Sequence, residues 1–218
     1  MATLKKGILD GFRGKVGTVI GSTWKGKDVM RALPDTAGNK PSERQLAQQQ
    51  RFGMIMGFLK LFMPLTRIGF RTNNREMTAQ NAAVSYNLAN AVEGTYPNQG
   101  IAYDKVMLSQ GTLAAADALS AESTGRTSLT LSWHPGTGSS HDSPSDPVMA
   151  AVYDPENGES LNFIGCASRG DGEAQLTLPS DWSGRNVYVY AFLISLAGDT
   201  YSPETVSHTH CAGPVQIM

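Results

Sequence analysis

The chain has 218 residues, of which 40% are hydrophobic and 17% charged, and its formal net charge is −1. The length fits one large domain or two small ones, and the composition excludes a disordered chain because it supplies enough apolar surface for a core. The chain has two cysteines and no run of about 18 apolar residues, which excludes a disulfide framework and a continuous apolar membrane span.

The charges are segregated along the chain. Residues 1–80 contain 14 Lys and Arg against 5 Asp and Glu, a net charge of +9. Residues 81–218 contain 4 Lys and Arg against 14 Asp and Glu, a net charge of −10. This asymmetry predicts either an anionic partner for the front half or contact between the two halves, within one molecule or head-to-tail between molecules.

Residues 5–38 are rich in glycine and contain short β-type runs, KVGTVI, STWKG and DVMRAL. The stretch GSTWKGKD has the glycine and lysine spacing of a phosphate-binding loop. Asp28 stands where such a loop needs a hydroxyl, and Pro34 follows too soon for the required helix. The stretch is therefore predicted to be a β-hairpin and not a nucleotide site.

Two helices are predicted next, and they are expected to pack as a hairpin. The first begins after Ser42, which has Gln45 three residues later in capping-box spacing, and is expected to end at Pro64. Its apolar stripe consists of Leu46, Phe52, Ile55, Leu59 and Phe62. The second helix, over about residues 76–93, has Met77, Val84, Leu88 and Val92 on one face and is expected to stop at Gly94.

From residue 96 onward the pattern indicates antiparallel β structure. Short runs are separated by turn signals such as Asn157-Gly158 and Gly198-Asp199; the runs are YDKVMLSQG, SLTLSWH, PVMAAVYD, NFIGCAS, AQLTLPS and NVYVYAFLIS. This spacing is typical of an immunoglobulin-like or fibronectin type III-like sandwich, with Trp133 as a core residue. The predicted fold class is α+β: a β-hairpin region and helical hairpin in a basic domain, residues 1–95, and an acidic sandwich domain, residues 96–218.

The sequence carries no recognisable catalytic motif, so we expect a protein that is not an enzyme and needs no cofactor. His208, His210 and Cys211 have the residue types of metal ligands, but a second ligand cluster is missing, so no metal site is predicted. Whether Cys166 and Cys211 pair stays open.

Several stretches together resemble one family. They are GKVGTVIGSTWKGKDVMRALP, RFGMIMGFLKLF, NAAVSYNLANAVEGTYPNQGIAYDKVMLSQGTL and TLPSDWSGRNVYVYAF, in this order over almost the whole chain. They are similar to an uncharacterised Bacteroidetes family that is catalogued as a domain of unknown function. The resemblance implies a bacterial protein with a glycine-rich β start, a helical middle and a sandwich-like end, and it supplies no site residues.

The sequence predicts a structural or interaction protein that assembles head-to-tail with itself by adding its basic front strands to a sheet edge of the next subunit, a contact that gives filaments if it does not close. The predicted interface residues are Arg13, Lys15, Trp24, Lys25 and Lys27. Three alternatives stay open: a nucleic-acid binder, a carbohydrate- or surface-binding sandwich, and a hydrolase, which would need a pocket with perturbed carboxylates. The basic half with its aromatic residues also suits nucleic acid, and Tyr188, Tyr190 or Tyr201 would suit a carbohydrate- or surface-binding sandwich.

The first residues, MATLKKGILDGF, lack the apolar core of a secretory signal. The expectation is therefore a cytoplasmic protein or one released by a non-classical route. A leader removed before residue 1 would explain the same observation.

Overall fold

The structure is a computed structural model that describes residues 3–4, 12–24, 27–34, 40–71, 77–135, 142–195 and 205–218. Its contacts divide the chain into two compact units, Met1–Ser42 and Glu43–Met218. The boundary predicted between residues 95 and 96 lies inside the second unit. Each unit is described by itself below.

The first unit contains an antiparallel sheet whose strands follow one another in chain order. The strands are β1 (Thr3–Leu4), β2 (Phe12–Val16), β3 (Val19–Trp24) and β4 (Lys27–Ala32). β3 and β4 pair from Val19↔Ala32 to Trp24↔Lys27, so the stretch with the spacing of a phosphate-binding loop is a β-hairpin, as predicted. Gly17, at the β2–β3 turn, has φ +58°, a conformation that glycine adopts without strain.

The second unit begins with three helices, α1 (Glu43–Lys60), α2 (Met63–Gly69) and α3 (Ala79–Asn90). α1 begins directly after Ser42, as predicted. Pro64, expected to end α1, lies instead in the first turn of α2, because proline needs no hydrogen-bonded N–H there. α3 ends at Asn90, and Gly94, its expected stop, belongs to the following hairpin.

The α1 stripe is only partly buried. Ile55, Leu59 and Phe62 are completely buried, whereas Leu46 and Phe52, which precede them along the stripe, are exposed. Within the described ranges no single helix is long and apolar enough to cross a membrane; α1 and α2 taken together meet the length and composition criterion, with a bend of 93° between them.

A hairpin of β5 (Val92–Thr95) and β6 (Asn98–Ile101) follows the helices. The next stretch, predicted as a strand over residues 103–111, is instead a short 3-10 helix, Tyr103–Lys105, and irregular chain. Its residues are fixed by hydrogen bonds to α3 and the C-terminal segment. For example, the Asn87 amide donates to the Met107 carbonyl and accepts from the Met107 N–H. The backbone groups of this stretch thus bond to side chains such as Asn87, and not to a neighbouring β-strand.

The remaining chain forms an antiparallel sandwich of two sheets. The strands are β7 (Asp117–Gly125), β8 (Ser128–His134), β9 (Pro147–Asp154), β10 (Glu159–Ser168), β11 (Glu173–Thr177), β12 (Asn186–Leu193) and β13 (His210–Gln216). One sheet has the order β10-β9-β12-β13 and the other β11-β8-β7. This arrangement confirms the predicted α+β class with a fibronectin type III-like sandwich.

The sheet β10-β9-β12-β13 is buried on both faces. Val148, Ala150 and Val152 of β9 face the core between the sheets, where Trp133 is also buried, as predicted. Met149, Ala151 and Tyr153 face the opposite way, into the core formed with the helices. The helices therefore share a hydrophobic core with the sandwich, because the same strands supply one side of each core.

Candidate interaction site

The sheet of the first unit presents a basic cross-strand row. Lys15 pairs with Ile20, and Ile20 pairs with Arg31, so the three residues lie side by side on one face. Lys15 and Arg31 are exposed and flank the half-buried Ile20. The row therefore holds two solvated positive charges on either side of an apolar residue.

Arg13 is linked to a carboxylate on the same sheet. Its Nε donates to Thr23 Oγ1 at 3.0 Å, and Thr23 Oγ1 donates to Asp28 Oδ1 at 3.1 Å. All three residues are exposed, so the chain of bonds contributes little stability. Asp28, on β4, offsets part of the positive charge of this sheet.

The structure thus places the predicted interface residues as follows. Arg13 and Lys15 are exposed on β2, and Trp24 pairs with Lys27 at the far end of the β3–β4 hairpin. Lys25 lies outside the described residues. Their role in an interface stays a prediction.

The first unit buries almost none of its described side chains. Val16 and Met30 are 54% and 69% exposed, and Val19, Val29 and Leu33 are exposed as well. Among the residues of 1–42 whose burial the structure describes, only Gly21 is buried. A sheet of a few strands needs a covered apolar face to be stable, so this unit lacks a core of its own within its described part.

A groove of about 450 Å³ lies along the first half of β10 in the second unit. Leu61, between α1 and α2, forms one wall, and Pro179 and Trp182 form the other. Gly158 and the β10 residues Glu159 to Asn162 lie between these walls. β10 is at the end of its sheet, so the groove runs beside an open strand edge.

The polar groups of the groove are mostly acceptors. Ser160 Oγ and Asn162 Nδ2 donate to the Leu61 carbonyl at 3.2 Å and 2.9 Å, which fixes both side chains. Glu159 Oε2 accepts from the Trp182 indole N–H at 3.3 Å, while its side chain remains exposed. Asn162 Oδ1 is buried and has no partner. The groove is therefore suited to a ligand that brings hydrogen-bond donors or positive charge.

The surface near this end of the sandwich is acidic. Arg185 Nη1 is 2.5 Å from Asp154 Oδ2, and its pKa is raised first by that hydrogen bond and further by the charges of Asp181 and Glu156. Asp154 is buried, whereas Glu156 and Asp181 are exposed and supply the negative charge of this surface. The excess negative charge favours a cationic partner.

The histidine and cysteine side chains do not form a metal site in the described part of the chain, where no group of three or more potential ligands converges. His208 and His210 are exposed. Cys166 and Cys211 are both free thiols, which answers the question left open by the sequence. Burial raises the pKa of Cys166 to about 11 and that of Cys211 to about 12, so both thiols are protonated and unreactive near neutral pH.

The tyrosines expected on a carbohydrate-binding surface differ in how far they are buried. Tyr190 is completely buried, and its hydroxyl donates to the Tyr103 carbonyl at 2.9 Å, so the expectation of an exposed ring is wrong there. Strand alternation explains this, because Tyr190 points into the core with the helices. Tyr188 is half-buried, with its ring 5.1 Å from that of Tyr103, and Tyr201 lies outside the described residues.

Residues 11–204 match the model of a family described as a family of unknown function, DUF6266. The chain belongs to this family. The match spans most of the chain, from the N-terminal sheet to the sandwich, and so confirms the predicted resemblance to an uncharacterised family. A comparison with curated proteins finds no match.

Solved structures similar to this family member are fibronectin type III domains. The fn3 domain of human collagen alpha-1(XX) chain is 20% identical with a TM-score of 0.32, and the match covers 49% of this chain and 88% of that one. The FN1–FN3 domains of chicken CNTN1 are 15% identical with a TM-score of 0.36, and the match covers 49% of this chain and 35% of that one. The assignment of the sandwich rests on its strand order.

The groove residues Glu159, Asn162 and Trp182 were not singled out from the sequence. The wall residues Leu61 and Trp182 are separated by more than a hundred positions, so no local motif unites them. The available signal was the Asn157-Gly158 turn, which predicts that a new strand begins at Glu159. It does not predict that this strand is at a sheet edge.

Proposed function

We propose that the protein is a non-enzymatic structural or interaction protein that assembles head-to-tail with copies of itself. The basic N-terminal segment of one copy contacts the acidic sandwich of the next copy. In a heterologous contact of this kind, the assembly keeps one free contact surface at each end. Further copies therefore add to it and form a filament, unless the copies close into a ring.

The observation that carries the proposal is the exposed sheet of the first unit. Val16, Val19, Val29 and Met30 of this sheet are exposed, although a sheet of this size gains its stability from a covered face. A second copy that covers this sheet would bury that surface. The charge segregation of +9 and −10 supports a partner with the composition of the acidic half.

Light scattering on the purified protein at low and at high salt tests the proposal. We expect large assemblies at low salt that dissociate as salt rises, because salt screens the attraction between exposed charges. A mass of 23.3 kDa under both conditions would contradict it.

A matched pair of variants locates the contact. Lys15, Lys27 and Arg31 replaced by Ser are expected to abolish assembly, and deletion of residues 1–38 is expected to do the same. Lys60, Lys105 and Arg126 replaced by Ser remove the same charge from exposed positions elsewhere and should leave assembly intact. Loss of assembly in both triple variants would show that net charge, and not the N-terminal sheet, drives association. Intact assembly in both would show that these three cations of the N-terminal sheet are not part of the contact.

Nucleic-acid binding is the second candidate, and the row Lys15–Ile20–Arg31 favours it because exposed cations flank an apolar contact. It predicts an affinity for single-stranded nucleic acid that falls steeply with salt. Failure to bind at low salt would exclude this candidate without affecting the self-assembly proposal.

A further inference from the structure

The outer edge of β10 has the properties of a strand acceptor. On its inner side β10 pairs with β9 without interruption from Glu159↔Asp154 to Phe163↔Ala150. In such a ladder alternate residues direct their N–H and C=O groups away from the partner strand. Because β10 is the last strand of its sheet, those outward groups lie along the groove.

Only the second half of β10 has a feature that protects an edge strand from pairing with a further strand. The register with β9 shifts between Phe163 and Ala167, and Gly165 within this interval has φ +64°. A bulge of this kind bends an edge strand away from further pairing. The five residues from Glu159 to Phe163 have no bulge, and the groove is beside them.

The strand β4 is a donor of fitting length and charge. It has six residues, KDVMRA, and it is the last strand of its own sheet, so one of its edges is open. Val29, Met30 and Arg31 are exposed on it. β4 therefore offers backbone groups, apolar side chains and positive charge together.

The chemistry of the groove matches this donor. Glu159 supplies an exposed carboxylate, with Glu156 and Asp181 nearby on the same acidic end. Leu161 and Pro179 supply half-buried apolar surface for Val29 or Met30. Strand addition to an open edge takes its affinity from backbone hydrogen bonds and its specificity from such side-chain contacts.

We propose that the groove beside Glu159–Phe163 receives β4 of a second copy, which adds to β10 as a further strand of its sheet. The inference rests on the proposed self-assembly and names its acceptor. Because β4 and β10 are different surfaces, each copy both donates and accepts, and the contact propagates head-to-tail.

A charge exchange tests the pairing in the full-length protein. Arg31→Glu and Glu159→Lys are each expected to lower the apparent association constant at low salt by at least tenfold, and the double variant is expected to restore it. Glu122→Lys, the same charge change at an exposed position of β7 in the other sheet, is the control and should assemble like the wild type. Circular dichroism and a thermal melt confirm that each variant is folded.

If the wild type assembles and Glu159→Lys has the same association constant, this inference is overturned. The proposed function is then unaffected. Loss of assembly in both Glu159→Lys and Glu122→Lys also overturns the inference, since the effect is then not local to the groove.

A peptide of residues 26–33, GKDVMRAL, separates the remaining outcomes. Labelled peptide should bind the full-length protein, with weaker binding to Glu159→Lys and weaker binding of the peptide that carries Glu in place of Arg31. If the wild type is monomeric and the peptide binds in this Glu159-dependent way, self-assembly is overturned and the groove is kept as a strand acceptor. A monomer that does not bind the peptide overturns both.

Discussion

Arg169 is the most deeply buried cationic side chain among the described residues, at 2% exposure, and its contacts hold one end of the sandwich together. Its Nε is 3.2 Å from Asp146 Oδ2, and its Nη2 donates to the Ala114 carbonyl at 2.9 Å. Its own carbonyl accepts from the Trp133 indole N–H at 2.9 Å. One residue thus connects β8, the chain before β7 and the start of β9.

We expect Arg169→Met to lower the free energy of unfolding by about 3–5 kcal/mol, because it leaves the completely buried Asp146 carboxylate without its counter-charge. Urea unfolding measures the change. Arg126→Met, at the exposed β7–β8 turn, is the control and should change stability by less than about 0.5 kcal/mol. Similar values for the two variants would show that Asp146 does not depend on Arg169.

At the scale of elements, α2 is held against the chain that follows the 3-10 helix. Gly69, the last residue of α2, is buried, and its carbonyl accepts from the Gln110 N–H at 3.0 Å. A Cβ at this position would be 2.2 Å from the Leu108 carbonyl oxygen and 2.6 Å from the Ser109 Cα. The two segments approach each other this closely because residue 69 has no side chain.

Gly69→Ala is therefore expected to destabilise the protein by about 1–3 kcal/mol, since backbone atoms must move to admit the methyl group. Gly57→Ala is a matched control within α1, where a Cβ meets nothing within 4 Å. The control should stabilise by about 0.5–1 kcal/mol because alanine favours the helix. Thermal or urea unfolding of both variants shows the opposite signs; a neutral Gly69→Ala would contradict the close approach.

At the scale of the whole molecule, the sheet β10-β9-β12-β13 concentrates groups that resist ionisation. Burial is the first cause in each case, and it raises the pKa of Cys166 to about 11, that of Cys211 to about 12, and those of Tyr153 and Tyr190 above the usual range for phenols. Below about pH 8 these groups are protonated in both folded and unfolded chains, because an unfolded cysteine ionises with a pKa of about 8.5. Above about pH 8, the unfolded chain loses protons that the folded chain keeps.

Stability is therefore expected to be fully present below about pH 8 and to fall as the pH rises toward 12, because deprotonation then favours the unfolded chain. Urea unfolding midpoints at pH 7, 9 and 10.5 measure the fall. The Cys166→Ala, Cys211→Ala double variant should show a smaller decrease between pH 9 and 10.5, after its own loss at pH 7 is subtracted. A midpoint that is constant over this range would show that these groups ionise as easily in the folded chain.

The two units differ in how they are stabilised. Glu43–Met218 contains two hydrophobic cores that share one sheet, whereas the described part of Met1–Ser42 has exposed apolar residues on its strands. The second unit therefore has its own source of stability. The exposed apolar residues of the first unit are the basis of the proposed assembly, because a small sheet gains stability when one face is covered.

The sequence by itself determined the class of the fold and most of its strands. β8, β9, β11 and β12 were predicted nearly at their observed positions, since local alternation or a continuous apolar run between turn residues is enough to specify a strand. The start of α1 after Ser42 was likewise a local signal. The segregation of charge, on which the function proposal depends, is a property of the sequence alone.

Tertiary structure decided what depends on residues far apart in the chain. β7 is rich in Ala, Ser and Glu and was not predicted; it is a strand because β8 pairs with it. The continuous apolar run of β9 did not reveal that its second face packs on α1, which lies more than 80 residues earlier, for example through Phe58 and Tyr153. The groove beside β10 exists only because Leu61 and Trp182 converge on an edge strand, and the order of strands in a sheet is set by long-range packing that local patterns do not encode.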